Sequence, residues 1–256
     1  MKQGAAAPVV KHGLGTHVAD GIAWLRLERP DAGNRITLEL AQALCAAAEE
    51  IELDDRIAVV VIAAAGASFC LGVEDGGEWE RRADWVDAVG RLTRPVIAAI
   101  QGDAVAEGLE LALACDLRLV STGAAFAMPQ LLGRRLPSHG GTQRLPRMVG
   151  RMRALDLLFT GRRVEATEAE AIGLASRLVT PEAFAEALDG LAEVLTSKGP
   201  LALRYAKEAV LKGSDLTLDQ GIHLEEDLYV LLQTTQDRRE GINAFLKRRQ
   251  PAFKGK

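Results

Sequence analysis

Two glycine-bearing segments follow apolar, strand-like sequence and could do chemistry with their backbone. They span 69–74 and 101–110, and each reaches a glycine soon after the apolar run ends. Glycine permits a sharp turn, so each segment can aim a peptide N–H group away from the core. Two such donors that converge on one oxygen form an oxyanion hole, and the dipole of a helix beginning near Gly108 would strengthen the second donor.

Glu110 and His139 are the titratable residues best placed to move a proton at such a site. Glu110 lies between Leu109 and Leu111 on a predicted helix that is too apolar to face solvent. Burial disfavours a carboxylate, so we expect a raised pKa for Glu110. His139 lies in the glycine-bearing turn 137–142 and is the residue type that titrates near pH 7. A structural histidine, hydrogen-bonded within its turn, is the alternative interpretation.

Several common catalytic signatures are absent from the sequence. It has no Walker loop, GxGxxG turn, HExxH pair or GxSxG elbow, so nucleotide hydrolysis, Rossmann cofactor use, zinc proteolysis and α/β-hydrolase chemistry lose their usual support. The three isolated cysteines indicate neither a disulfide framework nor a zinc site. No segment has the length and composition of a secretory signal or a membrane span. We expect a soluble cytoplasmic protein.

The charge balance excludes another class of partner. The chain has 31 basic and 35 acidic residues and a formal net charge of −4. This balance provides no general attraction to nucleic acid or to an anionic membrane surface. We therefore expect neither partner.

Hydrophobic patterning predicts an α/β protein whose buried strands lead into the two glycine segments. Asp20-Gly21 joins two β-rich runs in a predicted hairpin. Thr37 is a candidate N-cap for an amphipathic helix that continues to about residue 53. The continuous apolar runs 58–64 and 95–100 are typical of strands buried on both faces. Further predicted elements are a helix at 108–114, a strand at 117–120 and a helix at 141–149.

From about Met152 the sequence predicts helices only. We expect a core domain over residues 1–198 and a helical C-terminal region over residues 199–256, divided near Gly199-Pro200. One helix of the second region has a broad apolar surface suited to packing on the core or on another subunit. The predicted helices span 152–159, 167–172, 181–197, 200–213, 217–235 and 237–248.

A series of motifs along nearly the whole chain resembles the crotonase family of enoyl-CoA hydratases and isomerases. The resemblance implies an α/β spiral of stacked ββα units and a helical C-terminal region used for trimerisation, often within a dimer of trimers. It also implies a coenzyme A thioester as substrate and no other cofactor. The motifs are RP at 29–30, ASFCLG at 67–72, PVIAAI at 95–100, ELA at 110–112, CD at 115–116, GGTQRLP at 140–146, TGRR at 160–163, AIGLA at 171–175 and EGINAF at 240–245.

The resemblance also implies roles for residues in the two glycine segments. The backbone N–H groups of Val73 and Glu107 match the two donors that hold the thioester oxygen and stabilise the enolate. Glu110 matches the first of two family glutamates that bracket a water and exchange protons with it and with Cα. Gln130 stands at the position of the second glutamate, and His139 is a candidate replacement proton carrier.

Glu107 departs from the family pattern, which has glycine at this position. A carboxylate beside an enolate works against it, because two like charges roughly 4 Å apart repel by about 4 kcal/mol at an effective dielectric near 20. We therefore expect the Glu107 side chain to point away from the thioester or to be protonated.

Gln130 leaves the reaction open. An amide can orient water, but it does not exchange protons near neutral pH, and losing a general acid or base costs about 10²- to 10⁴-fold in rate. One reading is a hydratase or isomerase that relies on Glu110. A second is a crotonase-type decarboxylase or C–C hydrolase, and a third is a non-catalytic acyl-CoA binding relative.

The coenzyme A contacts are expected from the same resemblance. Backbone around residues 68–71 is expected to hold the adenine, with Arg29 and either Lys247 or Lys254 as basic contacts. Asp103 is expected to contact a polar acyl group because it lies in the segment beside the predicted oxyanion hole. The acidic stretch 74–87 is expected to shape the acyl pocket. The residues of the adenine segment are Ser68, Phe69, Cys70 and Leu71.

Overall fold

The computed structural model describes residues 9–74 and 84–256, which form a mixed α/β fold. The described strands are β1 (Val9–Lys11), β2 (Leu14–Ala19), β3 (Ile22–Leu27), β4 (Val59–Ala64), β5 (Ser68–Cys70), β6 (Val96–Ile100), β7 (Asp103–Val105), β8 (Leu117–Ser121), β9 (Ala125–Ala127), β10 (Val164–Glu165) and β11 (Arg177–Val179). The described α-helices are α1 (Leu38–Leu53), α2 (Trp85–Gly90), α3 (Glu107–Ala114), α4 (Gly141–Val149), α5 (Arg151–Thr160), α6 (Ala166–Ala171), α7 (Phe184–Thr196), α8 (Pro200–Gly213), α9 (Leu218–Gln233) and α10 (Gln236–Leu246).

The larger sheet has the strand order β1-β2-β3-β4-β6-β8-β11. Strands β1 to β3 are antiparallel, and the pairs from β3 onward are parallel. Asp20 and Gly21 form the turn between β2 and β3 with φ of 51° and 78°, the two positive values that a type I′ turn requires. The predicted hairpin is confirmed.

The smaller sheet has the strand order β10-β9-β7-β5. Strands β5, β7 and β9 are parallel to one another, and each follows a strand of the larger sheet, β4, β6 or β8. Each pair therefore contributes one strand to each sheet before the chain enters a helix. This repeat is the spiral of ββα units that the resemblance implied.

The larger sheet is packed on both faces, as its continuous apolar strands predicted. Thr37 caps α1 by accepting a hydrogen bond from Leu40 N–H at 3.3 Å. The buried face of α1 and alternate strand residues such as Val60 belong to one hydrophobic cluster. The other strand residues, such as Val61, pack with Leu188 of α7 in a second cluster.

Two sequence predictions are wrong because short strands leave no periodic pattern. The region after Met152 is not entirely helical, since β10 and β11 lie within it and β11 pairs with β8 at the edge of the larger sheet. The predicted strands also omit β5 and β7, although segment 69–74 contains most of β5 and segment 101–110 contains β7. Three residues allow only one alternation of side chains, which is too little to predict a strand.

Helices α8 to α10 have few buried side chains. Within α8 none is buried, and α9 and α10 bury only Leu228, Asp237 and Ala244. Lys207 of α8 joins the core by an ion pair to Asp116 at 2.6 Å. The predicted domain boundary between residues 198 and 199 stays a prediction.

Of the acidic stretch 74–87, which is expected to shape the acyl pocket, residues 75–83 lie outside the described part of the chain.

Candidate active site

The first predicted donor lies just after the end of β5. Gly72 has φ +99° and turns the chain, and Val73 forms an isolated bridge with Ile36. Ile36 N–H donates to Gly72 O at 2.9 Å, and Glu74 N–H donates to Ile36 O at 2.8 Å. These bonds leave Val73 N–H outside the bridge, and it points towards the start of α3, where it donates to Glu107.

The second predicted donor lies at the N-terminus of α3. A Cβ added at Gly108 would collide with the carbonyl oxygen of Cys70, so only glycine lets α3 approach the end of β5 this closely. Ala106 precedes the helix with φ +54°. N–H groups in a first helical turn have no partner inside the helix, so the Glu107 N–H can serve a ligand. The structure thus brings Val73 and Glu107 together, and the binding of one oxygen by their two N–H groups stays a prediction.

The Glu107 side chain turns into the site, not away from it. Its carboxylate is 2% exposed, and Oε2 accepts a hydrogen bond from Val73 N–H at 3.2 Å. Oε1 forms an ion pair with Nη2 of Arg135 at 2.8 Å. The carboxylate therefore occupies one predicted oxyanion donor. The expectation of an outward side chain is wrong for this structure, and protonation of Glu107 beside a thioester stays a prediction.

Glu110 is fully buried three residues along the same helix. Its Oε1 accepts hydrogen bonds from the backbone N–H groups of His139 and Gly141, each at 2.8 Å. Burial raises the pKa of Glu110 to about 7, and the nearby charge of Glu107 contributes in the same direction. The direction of this shift agrees with the expected effect of desolvation, and with such a pKa Glu110 can both take up and release a proton near neutral pH.

Gln130 contacts Glu110 directly. It lies in the one-turn 3₁₀ helix Pro129–Gly133 and is 4% exposed. Its Nε2 donates to Glu110 Oε2 over 3.4 Å, which is a long bond. Its Oε1 is buried and has no hydrogen-bond partner among the described residues. An acceptor of this kind beside a carboxyl group is suited to hold a water or a substrate hydroxyl.

His139 lies on the other side of Glu110 and packs against Trp85. The two rings are tilted by 56° with centroids 5.3 Å apart. Burial lowers the pKa of His139, so the ring is neutral near pH 7. His139 Nε2 and Trp85 Nε1 are both buried without a hydrogen-bond partner in the described part of the chain. Such orphan polar atoms are rare in native cores and are expected where a ligand or water binds.

Arg135 is a site residue that sequence reasoning missed. Its backbone N–H donates to Gln130 O at 2.9 Å. This bond holds Arg135 next to Gln130, which contacts Glu110. Its side chain is 42% exposed and reaches the buried Glu107. In sequence it is one of two consecutive arginines after a short helix, and nothing in that pattern distinguishes it from a solvated residue.

Of three predicted binding residues, two form ion pairs with other side chains and the third is exposed. Asp103 is the first residue of β7 and forms a two-pronged ion pair with Arg163 at 2.6 and 3.1 Å. Arg29 donates to Arg35 O at 2.6 Å and pairs with Glu74 at 2.5 Å. Lys247 is exposed just after α10, and within the described residues no hydrogen bond or ion pair joins it to the site.

In the middle of the predicted adenine-binding segment 68–71, the side chains are buried, which leaves backbone groups for contact with a ligand. The Phe69 and Cys70 side chains are buried in the core, and burial raises the pKa of the Cys70 thiol to about 12. Ser68 O accepts a hydrogen bond from Asn34 Nδ2 at 2.7 Å, and Leu71 O accepts one from Arg35 Nη1 at 2.8 Å. Adenine binding by this segment stays a prediction.

Two kinds of feature are absent from the described residues. In residues 9–74 and 84–256, no three histidine, cysteine or acidic side chains are grouped so that they could hold a metal ion. In the same residues, no helix combines the length and the apolar character that crossing a membrane requires.

The ββα spiral is that of the crotonase fold class, and known proteins share it. The crystal structure of an enoyl-CoA hydratase from Bacillus anthracis is similar with a TM-score of 0.91 and 34% identity, covering 96% of this chain and 100% of that chain. Residues 17–256 match the family model described as enoyl-CoA hydratase/isomerase.

Two relatives extend this similarity over most of the chain. YngF of Bacillus subtilis is 38% identical over 249 residues, covering 91% of this chain and 95% of YngF. The (E)-benzylidenesuccinyl-CoA hydratase of Thauera aromatica is 36% identical over 249 residues, covering 93% of this chain and 97% of that protein. The chain belongs to the enoyl-CoA hydratase/isomerase family and is an acyl-CoA enzyme of this lyase and isomerase type.

Proposed function

We propose that this enzyme binds an enoyl-CoA thioester and that Glu110 exchanges a proton with the substrate or with an attacking water. The observation that carries the proposal is the buried Glu110 carboxyl with a pKa of about 7, three residues from the predicted donor Glu107. A general base works best when its pKa lies near the working pH. The thioester oxygen would lie between the N–H groups of Val73 and Glu107, where enolate charge develops.

Gln130 and His139 would assist Glu110 without replacing it. The free Gln130 Oε1 can accept a hydrogen bond from the attacking water and so orient it. His139 is neutral near pH 7 because burial lowers its pKa, so it can accept a proton but does not act as a general acid at that pH. Hydration is supported by the relative named (E)-benzylidenesuccinyl-CoA hydratase.

The experiment follows crotonyl-CoA in deuterated water with the purified enzyme. Loss of enoyl absorbance reports hydration, and mass spectrometry reports deuterium at Cα or Cγ. We expect hydration together with deuterium at Cα. Deuterium exchange without hydration would favour an isomerase that relies on one base. The absence of both signals would contradict the proposal.

A second candidate keeps the fold and changes the reaction. Gln130 leaves the site with Glu110 as its main proton carrier, and decarboxylation or C–C hydrolysis of an acyl-CoA can proceed with one carboxyl and an oxyanion hole. Release of carbon dioxide from a malonyl-type thioester would favour decarboxylation. Tight acyl-CoA binding with no turnover over a broad panel would instead indicate a binding protein.

We also propose that the chain assembles as a homotrimer or as a dimer of trimers. The helices α9 and α10 expose large apolar side chains, including Tyr229, Val230, Ile242 and Phe245. Apolar patches of this kind usually mark protein interfaces. A solution mass of three or six chains would support the proposal, and a monomer at assay concentration would contradict it.

The remaining expectations concern the surroundings of the reaction. The three cysteines are free, which suits a reducing compartment such as the cytoplasm. Proton transfer beside an oxyanion hole requires no metal, nicotinamide or flavin, so coenzyme A would enter only as part of the substrate.

A further inference from the structure

An ion pair lies at the position where the thioester oxygen is expected. Glu107 bridges the Val73 N–H group through Oε2, at 3.2 Å, and the Arg135 guanidinium through Oε1, at 2.8 Å. A Cβ added at Gly72 would lie 2.8 Å from Oε2, so the carboxylate packs directly against the glycine turn. A thioester oxygen and the Glu107 carboxylate cannot both accept the Val73 hydrogen bond in this arrangement.

The same geometry places the Arg135 guanidinium beside the oxyanion position. Oε1 and Oε2 belong to one carboxylate, so Arg135 Nη2, which contacts Oε1, lies no farther than one hydrogen bond plus one carboxylate's width from the point that Val73 N–H addresses. An oxygen that replaces Oε2 at Val73 would therefore have a positive charge as its neighbour. Such a charge stabilises an enolate more as its negative charge develops than it stabilises the neutral thioester.

Arginine can hold Glu107 and an enolate oxygen together. A guanidinium has five N–H donors in a fixed fork, so it can contact more than one acceptor at a time, and the Arg135 side chain is 42% exposed. Glu107 can then leave Val73 N–H without becoming a buried charge without a partner. The pair has no net charge, which removes the objection to a glutamate at this position.

We propose that Arg135 is a third, charged donor of the oxyanion hole and that Glu107 is its counter-ion in the free enzyme. This inference rests on the proposed function, because it assigns a role at the same thioester site. It makes Arg135 a catalytic residue and makes Glu107 a carboxylate that the substrate displaces from Val73.

The test compares Glu107→Gly with the double variant Glu107→Gly/Arg135→Met. The glycine variant removes the carboxylate and keeps the cation, so both variants avoid an unpaired buried charge. We expect kcat for deuterium exchange at Cα of crotonyl-CoA to fall at least tenfold from the single to the double variant. Equal kcat in the two variants would overturn the proposal, because Arg135 would then serve only to neutralise Glu107.

Two further variants in the same Glu107→Gly background control for charge. Arg134→Met removes an exposed arginine one residue away and is expected to change kcat less than twofold. Arg135→Lys keeps a positive charge and is expected to recover part of the lost rate. A loss with Arg134→Met as large as with Arg135→Met would also overturn the proposal, because the effect would be one of general charge.

A binding measurement keeps the inference separate from the proposed reaction. A cinnamoyl-type CoA thioester absorbs at longer wavelength when its carbonyl is polarised, whether or not it turns over. We expect a smaller red shift with Glu107→Gly/Arg135→Met than with Glu107→Gly. If no variant turns over crotonyl-CoA, the proposed function fails, and this shift still decides the role of Arg135; equal shifts would contradict it.

Discussion

At the level of the single residue, the ionised form of Glu110 that the reaction needs is the form that destabilises the fold. Its carboxyl is fully buried and accepts two backbone hydrogen bonds, which favour the charged form. Burial nevertheless dominates and raises the pKa from the ordinary value of 4.5 to about 7. The protein therefore loses stability by ionising the group that gives the site a base near neutral pH.

This conflict predicts a pH dependence of stability. The folded state holds the Glu110 proton more tightly than the unfolded chain, so the free energy of unfolding falls as pH rises from about 4.5 to about 7. The two pKa values correspond to a loss of about 3 kcal/mol. Urea unfolding should show Glu110→Gln equal to the wild type near pH 4 and more stable at pH 8. Parallel pH profiles for the two proteins would contradict the raised pKa.

The sequence indicated part of the site at the residue level. Glu110 was predictable because a carboxylate on an apolar helix is unusual and matches a family motif. Arg135 was not predictable, because its role depends on a side chain that crosses to Glu107, 28 residues away in sequence. The inward turn of Glu107 also depends on this partner, and no local pattern encodes it.

At the level of elements, the contact between β5 and α3 sets the distance between the two backbone donors. Gly108 allows this contact, so Gly108→Ala should push α3 away from Cys70 and destabilise the fold by about 3 kcal/mol. Displacement of the donors by about 1 Å should lower kcat/KM about 10²-fold. Denaturant unfolding and the crotonyl-CoA assay measure the two effects.

Gly190→Ala is the matched control. Gly190 lies inside α7, and an added Cβ there meets no atom within 4 Å. Alanine is the better helix former, so this variant should be more stable by about 1 kcal/mol and should keep its activity. If Gly108→Ala behaved like Gly190→Ala, the contact between β5 and α3 would not position the site.

The elements also show which features a single sequence can predict. The hairpin at Asp20-Gly21 and the cap at Thr37 depend on residues that are adjacent in sequence, so their residue types are enough to predict them. The strands β5, β7 and β11 have three residues each and depend on pairing with segments that are distant in sequence, and a three-residue segment carries no such information. The smaller sheet could therefore be predicted only from the family resemblance.

At the scale of the whole molecule, the C-terminal helices are incompletely buried. Helices α8 and α9 pack on each other, yet their outer surfaces and that of α10 keep apolar side chains exposed, such as Leu211, Leu218 and Leu246. If other copies of the chain cover these surfaces, association stabilises the folded state by mass action. The midpoint of thermal unfolding should then rise with protein concentration. A midpoint that is constant from low to high concentration would argue for a monomer.

Deuterium exchange at Cα of crotonyl-CoA, measured against pH for the wild type and Glu110→Gln, tests whether Glu110 is the base. We predict a wild-type kcat/KM that rises through about pH 7, because the ionised carboxylate takes the proton. We predict no exchange by Glu110→Gln, with acyl-CoA binding nearly unchanged. Exchange by Glu110→Gln at the wild-type rate would contradict the central claim that Glu110 is the base.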